Sequence, residues 1–346
     1  MSDPILENRI IDEFTRRFVP PPHRLNGPHG ADAELIALGP GSGRLLAVTT
    51  DALSEEAASG LYDDPRLLGW MLVQANFSDL AAVGADPLGI LVAITYPPSA
   101  GNEDLARLAE GISEACGALG TYVLGGDTNQ GREWSLCGTA LGLVPQGRTV
   151  TRLGARPGDK LYVSGPCGQG SAYAFLKLFA PQAVSSLAFF HPVARLAEGR
   201  VVREHASAAM DTSDGLLHTA DTLARLNRCR FVLDDEGRSV HPVALEMCRA
   251  QKFPSWLALA SVHGEFELCF TLPPENVAAF LAAAAGLAWQ PVCIGEVETG
   301  EGVSIRSGTD LLPLDTARIR NLAATAGSDP ASYVRELINY GREVGS

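Results

Sequence analysis

Residues 65–85, PRLLGWMLVQANFSDLAAVGA, constrain the fold more than any other stretch of this chain. The segment reads as a helix, and Arg66 and Asp79 are its only charged residues. A helix that is apolar all round has to be buried. No uninterrupted apolar run approaches the roughly 18–20 residues a membrane span requires, so the expected burial is in a protein core. The chain can build one, with 346 residues, 46% of them hydrophobic, and a mean hydropathy of +0.08. An ionised carboxylate in such surroundings costs several kcal/mol unless something pairs with it. Asp79 therefore needs a partner, and the plain candidates are a cap or a buried hydrogen bond from Ser78 or Asn76.

Around this helix the pattern shifts repeatedly between helical and strand periods. Residues 4–18 carry Ile5, Leu6, Ile10, Phe14 and Phe18 near helical spacing. VPPPHRLNGPHG is a loop, broken by Pro and Gly. AELIAL and RLLAVTTDAL read as strands joined by a GPGSG turn. PLGILVAITYP predicts a strand and residues 102–118 a helix; TYVLGGD and WSLCGTALGLV predict strands around a Gly-Asp turn. TRLGARPGDKLYVSG is polar, basic and rich in turn residues, and reads as a boundary between domains 1–152 and 153–346. Beyond it, helices are expected at 169–179, 193–204, 215–227, near 242–250 and at 275–286. Strands are expected at 207–211, 229–233, EFELCFTL, QPVCIGEVE and GVSIRS, and the segment after Gly308 is weakly patterned. This mixed order predicts an α/β fold of the α+β type, in two domains, with helices on one side of each sheet.

The formal net charge of −13 makes the chain a poor holder of a nucleic-acid backbone. Its seven cysteines are scattered and never form a CxxC pair, which points to reduced thiols in a cytoplasmic protein, not to a disulfide frame or a zinc site. MSDPILENRIIDEF lacks the basic-then-apolar order of a secretory signal.

Asp79 is one of several acids in telling places. Asp32 stands at the entry to a strand, Asp51 ends the strand LLAVTTD, Asp127 follows YVLGG, and Glu265 precedes FELCFTL. In AMDTSDGLLHTADTLAR, Asp211 and Asp214 flank Thr212 and Ser213 where a strand gives way to a helix. Each acid has an ordinary reading as a cap or turn residue. Helix N-termini also attract anions, and paired carboxylates attract cations. If even four of Asp32, Asp51, Asp79, Asp127, Asp211 and Asp214 converge, divalent cations must offset their repulsion, as in enzymes that move phosphoryl groups. The loop VSGPCGQGSAYAFLKL has neither the dinucleotide spacing nor the lysine of a Walker motif, and reads as a tight strand-to-helix turn.

TTDAL, NFSDLAAVGADP, LGGDTNQG, GRTVTRLGARPGDKLYVSG, AMDTSDGLL and GEFELCFTL follow one another in an order and spacing that resembles the thiamine-monophosphate kinase family, within the aminoimidazole ribonucleotide synthetase superfamily. The resemblance is collinear from Gly30 to Val297. It implies two α/β domains and a homodimer whose N-terminal sheets join into a barrel. It also implies ATP and Mg2+ in a cleft lined by aspartates. Asp32, Thr49, Thr50, Asp51, Asp79, Asp127, Asp211 and Asp214 match metal-binding positions, and Gly126, Asp127, Arg152 and Ser213 match nucleotide-binding ones. Ala58 and Glu265 fall at acceptor-binding positions. The implied chemistry is direct in-line transfer from ATP to a phosphorylated small molecule, thiamine monophosphate giving thiamine diphosphate, with no covalent intermediate. The alternatives are a paralogous kinase or ATP-dependent synthetase acting on another small molecule, or a non-catalytic nucleotide-binding homologue.

The chain departs from the family at four places. Gly30-Ala31-Asp32 stands where the family has Gly-Asp-Asp, and Ala58 where it has a histidine that contacts thiamine phosphate. Val262-His263-Gly264-Glu265 replaces Gly-Gly-Glu-Asp, and LINYGREVG does not reproduce a C-terminal Gly-aromatic-x-His-Phe pattern. The last three fall on the acceptor side.

Overall fold

The computed structural model describes residues 3–19, 21–180, 190–234, 237–326 and 329–344. The first sheet and its helices come in the order α1 (Leu6–Thr15), β1 (Glu34–Ala37), β2 (Arg44–Ala52), α2 (Glu55–Ala58), α3 (Pro65–Ala82), β3 (Asp86–Tyr96), α4 (Asn102–Leu119), β4 (Val123–Gln130) and β5 (Ser135–Pro145). Then follow β6 (Lys160–Val163), α5 (Gln169–Phe179), α6 (Leu196–His205), β7 (Ala208–Asp211), α7 (Leu216–Asn227), β8 (Arg230–Asp234), α8 (Pro242–Gln251), β9 (Leu268–Leu272), α9 (Val277–Gly286), β10 (Val292–Glu298), β11 (Gly302–Ser307), β12 (Asp310–Leu314), α10 (Thr316–Ala326) and α11 (Pro330–Val344). No helix among the described residues is long and apolar enough to cross a membrane.

The strands form a five-stranded sheet, β1-β2-β5-β3-β4, and a seven-stranded sheet, β12-β11-β8-β10-β6-β9-β7. Pairing is antiparallel except for β3 with β4 and β8 with β11. The mixed α/β fold matches the α+β expectation. Helix α3 is the link between the two sheets. Asp64 caps its start by accepting the Arg66 N–H at 2.9 Å, with Pro65 in the first helical position. Almost every residue from Leu68 to Ala82 is buried, and α3 packs on β2, β5 and β3, on α4 and α6, and on β7. One apolar core therefore runs from Leu35 and Leu45 through α3 to Phe270 and Trp289.

Four expectations are corrected. The seven-stranded sheet is covered on both faces: Tyr162, Phe270 and Leu272 pack with Phe280 of α9, while Leu161, Val163 and Cys269 pack with Leu216 and Leu223 of α7. Alternate residues of buried strands serve opposite cores, so continuous apolar runs such as LCFTL signal a two-sided strand. The Gly-Asp turn is not a turn, because β4 continues through Gly125, Gly126 and Asp127 as far as Gln130, paired with β3. The strand expected from Glu265 starts at Leu268, after Phe266 in a left-handed conformation. The weakly patterned segment after Gly308 holds β12, α10 and α11. Their order comes from tertiary contacts: Thr316 and Arg320 of α10 bind the buried Asp221 of α7, and Leu337 and Tyr340 of α11 are buried in the second core.

Candidate active site

Four elements carry the acids to one place. Asp32 precedes β1, Asp51 lies near the end of β2, Asp79 in the last turn of α3, and Asp211 ends β7. Alternation along β2 turns Thr49 and Asp51 towards α3 and Thr50 away from it. The Thr49 hydroxyl donates to Asp79 Oδ2, and Thr50 Oγ1 donates to the Gly138 carbonyl at 2.6 Å. Asn76, one turn before Asp79, does not serve Asp79. Its Oδ1 accepts the Asp51 N–H at 3.1 Å, and its Nδ2 donates to the carbonyls of Asp51 at 3.4 Å and Leu72 at 2.9 Å. Asn76 thus clamps β2 to α3 and sets Asp51 against Asp79. Gly138, the β5 partner of Asp51, leaves room for the clamp, since a Cβ there would come 2.3 Å from Asn76 Nδ2.

The turn after β7 is not built as a helix cap. The N-cap of α7 is Gly215, with no side-chain capping bond. Ser213 Oγ instead donates to Asp211 Oδ1 at 3.0 Å, and Thr219 Oγ1 donates to the Asp211 carbonyl at 2.7 Å. The turn is braced by the segment before β9: Gly264 N–H donates to the Ser213 carbonyl at 2.9 Å, and Thr212 Oγ1 accepts the Glu267 N–H at 3.0 Å.

Asp32, Asp79 and Asp211 each offer a carboxylate oxygen within 4.8 Å of the others. Asp211 is 1% exposed. Burial drives the Asp79 carboxyl well above the usual carboxylate range, reinforced by the charges of Asp51, Asp211 and Asp32. Burial and then Asp32 push Asp211 up to about 7; burial, Asp214 and Asp32 push Asp51 up to about 6. Burial raises Asp214 as well, against the pull of Arg320 and Arg152. One cation answers this charge directly: the Arg152 guanidinium donates to Asp32 Oδ1 at 3.0 Å. Burial opposes the Arg152 charge, but Asp32 outweighs it and holds the guanidinium protonated. Asp32 Oδ2 and Asp211 Oδ2 are buried without a hydrogen-bond partner. An all-oxygen anionic donor set with orphaned lone pairs fits a hard divalent cation.

Asp214, on the same turn as Asp211, lies close enough for its charge to raise both Asp51 and Asp211, with His218 Nε2 3.6 Å from its Oδ2. Other residues singled out from the sequence lie elsewhere. Ala52, Cys137, Ala93 and Asp127 form one row across β2, β5, β3 and β4, which puts Asp127 three strands, roughly 14 Å, from the end of β2. Asp127 faces away from α3 and accepts from Asn129 Nδ2 at 2.7 Å; Gly126 sits beside Val92 on the same exposed edge strand. A single chain does not bring Thr50, Gly126 or Asp127 to the acid cluster. Ala58 is exposed at the end of α2. Glu265 is buried, and its carboxylate accepts the N–H groups of Gly168 at 2.8 Å and Gly170 at 3.0 Å where α5 begins. Burial raises its carboxyl to about 7. The VSGPCGQG loop thus binds an anion supplied from within the chain.

Residues 30–144 match the family AIR synthase related protein, N-terminal domain. Thiamine-monophosphate kinase of Pyrococcus horikoshii is 33% identical over 304 residues, 87% of this chain and 91% of its own length. The chain belongs to the thiamine-monophosphate kinase family. It is a kinase-like enzyme. The solved structure of thiamine-monophosphate kinase from Stenotrophomonas maltophilia has a TM-score of 0.68 at 26% identity, covering 87% of this chain and 96% of that one. AaThiL complexed with AMPPCP and TMP has a TM-score of 0.72 at 24% identity, covering 88% and 94%, and shares the fold.

Three features of this thiamine-monophosphate kinase family member escaped the sequence reading. Asn76 was weighed only as a partner for Asp79. Glu56 of α2 is raised by burial, with Asp214 and Asp51 adding to the shift, and carries no sequence signal beyond its acidity. Tyr62 Oη lies 3.1 Å from His263 Nε2, in a nest of rings with Tyr173 and Phe190. Burial lowers His263 to about 4, so it stays neutral. His263 also borders an apolar cavity of about 160 Å³, lined by Leu61, Phe175, Met247, Phe253 and Tyr333 among others. The departure at Val262-His263 was the one available signal for it.

Proposed function

We propose that the chain is an ATP- and Mg2+-dependent phosphotransferase that converts thiamine monophosphate to thiamine diphosphate by direct in-line transfer. The observation that carries this reading is the meeting of Asp32, Asp79 and Asp211 within 4.8 Å, with two buried oxygens unpartnered, in a chain 33% identical to a thiamine-monophosphate kinase. Asp32, Asp79 and Asp211, with Asp51 beside them, would hold Mg2+. The ion supplies neutralisation of phosphoryl charge when bound. Thr49 and Asn76 keep Asp79 and Asp51 aligned, and Ser213 holds Asp211. Arg152 places a permanent positive charge where nucleotide phosphates would arrive, and the bracing of the 212–215 turn keeps the reacting groups in register.

The apolar cavity adjoins loop 261–264, which packs directly on the acid-bearing turn. Its volume suits a single ring, and we assign it to one of the two rings of the acceptor. The boundary near residue 152 would separate a metal and ATP domain from a C-terminal α/β domain. Every residue of the edge strand β4 is exposed, Leu124 being 54% accessible, and Tyr122 just before the strand is 72% accessible. An open, partly apolar edge supports the reading that a second copy covers it and closes a barrel. Seven free cysteines suit a reducing compartment, in keeping with a cytoplasmic enzyme.

The test is direct. Purified protein is incubated with ATP, MgCl2 and thiamine monophosphate, and ADP and thiamine diphosphate are followed chromatographically. Equimolar formation of both, abolished by EDTA, supports the proposal. ATP binding without any diphosphate product overturns it.

A further inference from the structure

Arg152 lies in irregular backbone between β5 and β6, yet its long side chain has to reach Asp32 in the cluster. A flexible side chain on a loose backbone would spread over many positions. The backbone here is held by Asn227, the last residue of α7. Asn227 Nδ2 donates to the Arg152 carbonyl at 2.8 Å and to the Leu223 carbonyl at 2.8 Å. Its Oδ1 accepts the N–H groups of Gly154 at 2.7 Å and Ala155 at 3.1 Å. Both donors and both lone pairs of the amide are used, which no other side chain of this size can do.

The neighbouring contacts explain why this anchor reaches the site. The Thr151 carbonyl accepts the Ala209 N–H at 2.9 Å, two residues before Asp211 on β7, and Arg152 N–H donates to the Gly30 carbonyl at 3.0 Å, two residues before Asp32. Gly154 has φ +128, and a Cβ there would meet the Ser207 carbonyl at 2.2 Å, so the segment lies flat against the start of β7. Strand β7 runs up to Asp211 and α7 returns from it to Asn227. One strand-turn-helix unit therefore fixes the acid turn at one end and the root of Arg152 at the other.

We propose that Asn227 is a positioning residue for Arg152, setting its backbone so that the guanidinium lands on Asp32. The inference rests on the reading that the acids hold a divalent cation. In the nucleotide-free protein Arg152 occupies Asp32 and opposes a cation there. Loosening Arg152 therefore raises cation affinity.

The experiment measures Mn2+ affinity of the full-length, nucleotide-free protein by electron paramagnetic resonance. It compares wild type, R152A, N227A, N227D and the double variants. R152A is expected to bind Mn2+ about tenfold tighter, as loss of a nearby positive charge requires. N227A is expected to bind at least about threefold tighter, and to add nothing in the R152A background. N227D is isosteric, keeps the acceptor for Gly154 and Ala155, and loses the donor to Arg152; it carries the test if N227A fails to fold. Any effect of its added charge persists in the R152A background and is read there. An N227A or N227D affinity equal to wild type, or an equal rise with Arg152 absent, overturns the positioning role. A wild type that binds no Mn2+ overturns the cation reading and this inference with it.

Discussion

Asp211→Asn should make the metal-free protein more stable while removing its Mg2+-dependent chemistry. Asp211 is buried beside Asp32 with one oxygen unpartnered, and its carboxyl is pushed up to about 7. In the unfolded chain it ionises near the ordinary value of about 4. Between those values the folded state holds a proton that the unfolded state has released, so stability falls as pH rises through that window. At about 1.4 kcal/mol for each tenfold change in proton affinity, the loss reaches about 4 kcal/mol above pH 7. Asparagine keeps the shape and cannot ionise, so it escapes that loss. With an unfolding entropy of roughly 0.7 kcal/mol per kelvin for 346 residues, the gain is roughly 5 °C in melting temperature at pH 8. The assay is thermal unfolding in EDTA at pH 8 and pH 5, with Mg2+-dependent ADP formation measured in parallel. The variant should melt higher at pH 8, with a gap that shrinks towards pH 5, and show no turnover. Equal melting temperatures at pH 8, or a gap independent of pH, would refute the account of the cluster as a store of unneutralised charge.

Further outcomes follow from the same geometry. Asp79→Asn should lower Mg2+-dependent turnover by at least about a hundredfold with circular dichroism unchanged; near-wild-type activity would remove Asp79 from the site. Ala58 lacks the imidazole that the family resemblance places there, so thiamine monophosphate should be used weakly, and Ala58→His should lower its KM; an unchanged KM in steady-state kinetics would show that the position does not touch the acceptor. Glu265→Ala strands the N–H groups of Gly168 and Gly170, and should cost about 2–3 kcal/mol in chemical denaturation with the acceptor KM unchanged. A selective rise in KM at full stability would make Glu265 an acceptor ligand instead.

Helix α3 was legible because its composition leaves a single physical solution, burial on every side, and Leu68, Met71, Leu72 and Phe77 are indeed fully enclosed. Helices α10 and α11 were not, because their anchors are single residues with partners on other elements: Arg320 binds Asp221, 99 residues earlier, and the Tyr340 hydroxyl accepts the N–H of Asp315, just before α10. Glu265 looked like a site residue because it is acidic and precedes a strand. Its partners, two backbone N–H groups some 95 residues earlier, have no side-chain signature.

From the sequence alone came what acts over a few neighbours: the apolar helix bearing Asp79, the strand that ends at Asp51, the strand-turn-helix around Asp211, and the motif order that marks the family. Tertiary structure alone decided which acids meet. Asp32, Asp79 and Asp211 share 4.8 Å while Asp127 lies across the sheet, although all four had equal standing as acids near strand ends or in an apolar helix. Side-chain periodicity is a property of local backbone geometry, but the distance between residues 32 and 211 is set by how two sheets pack on α3, and no short-range pattern encodes that packing.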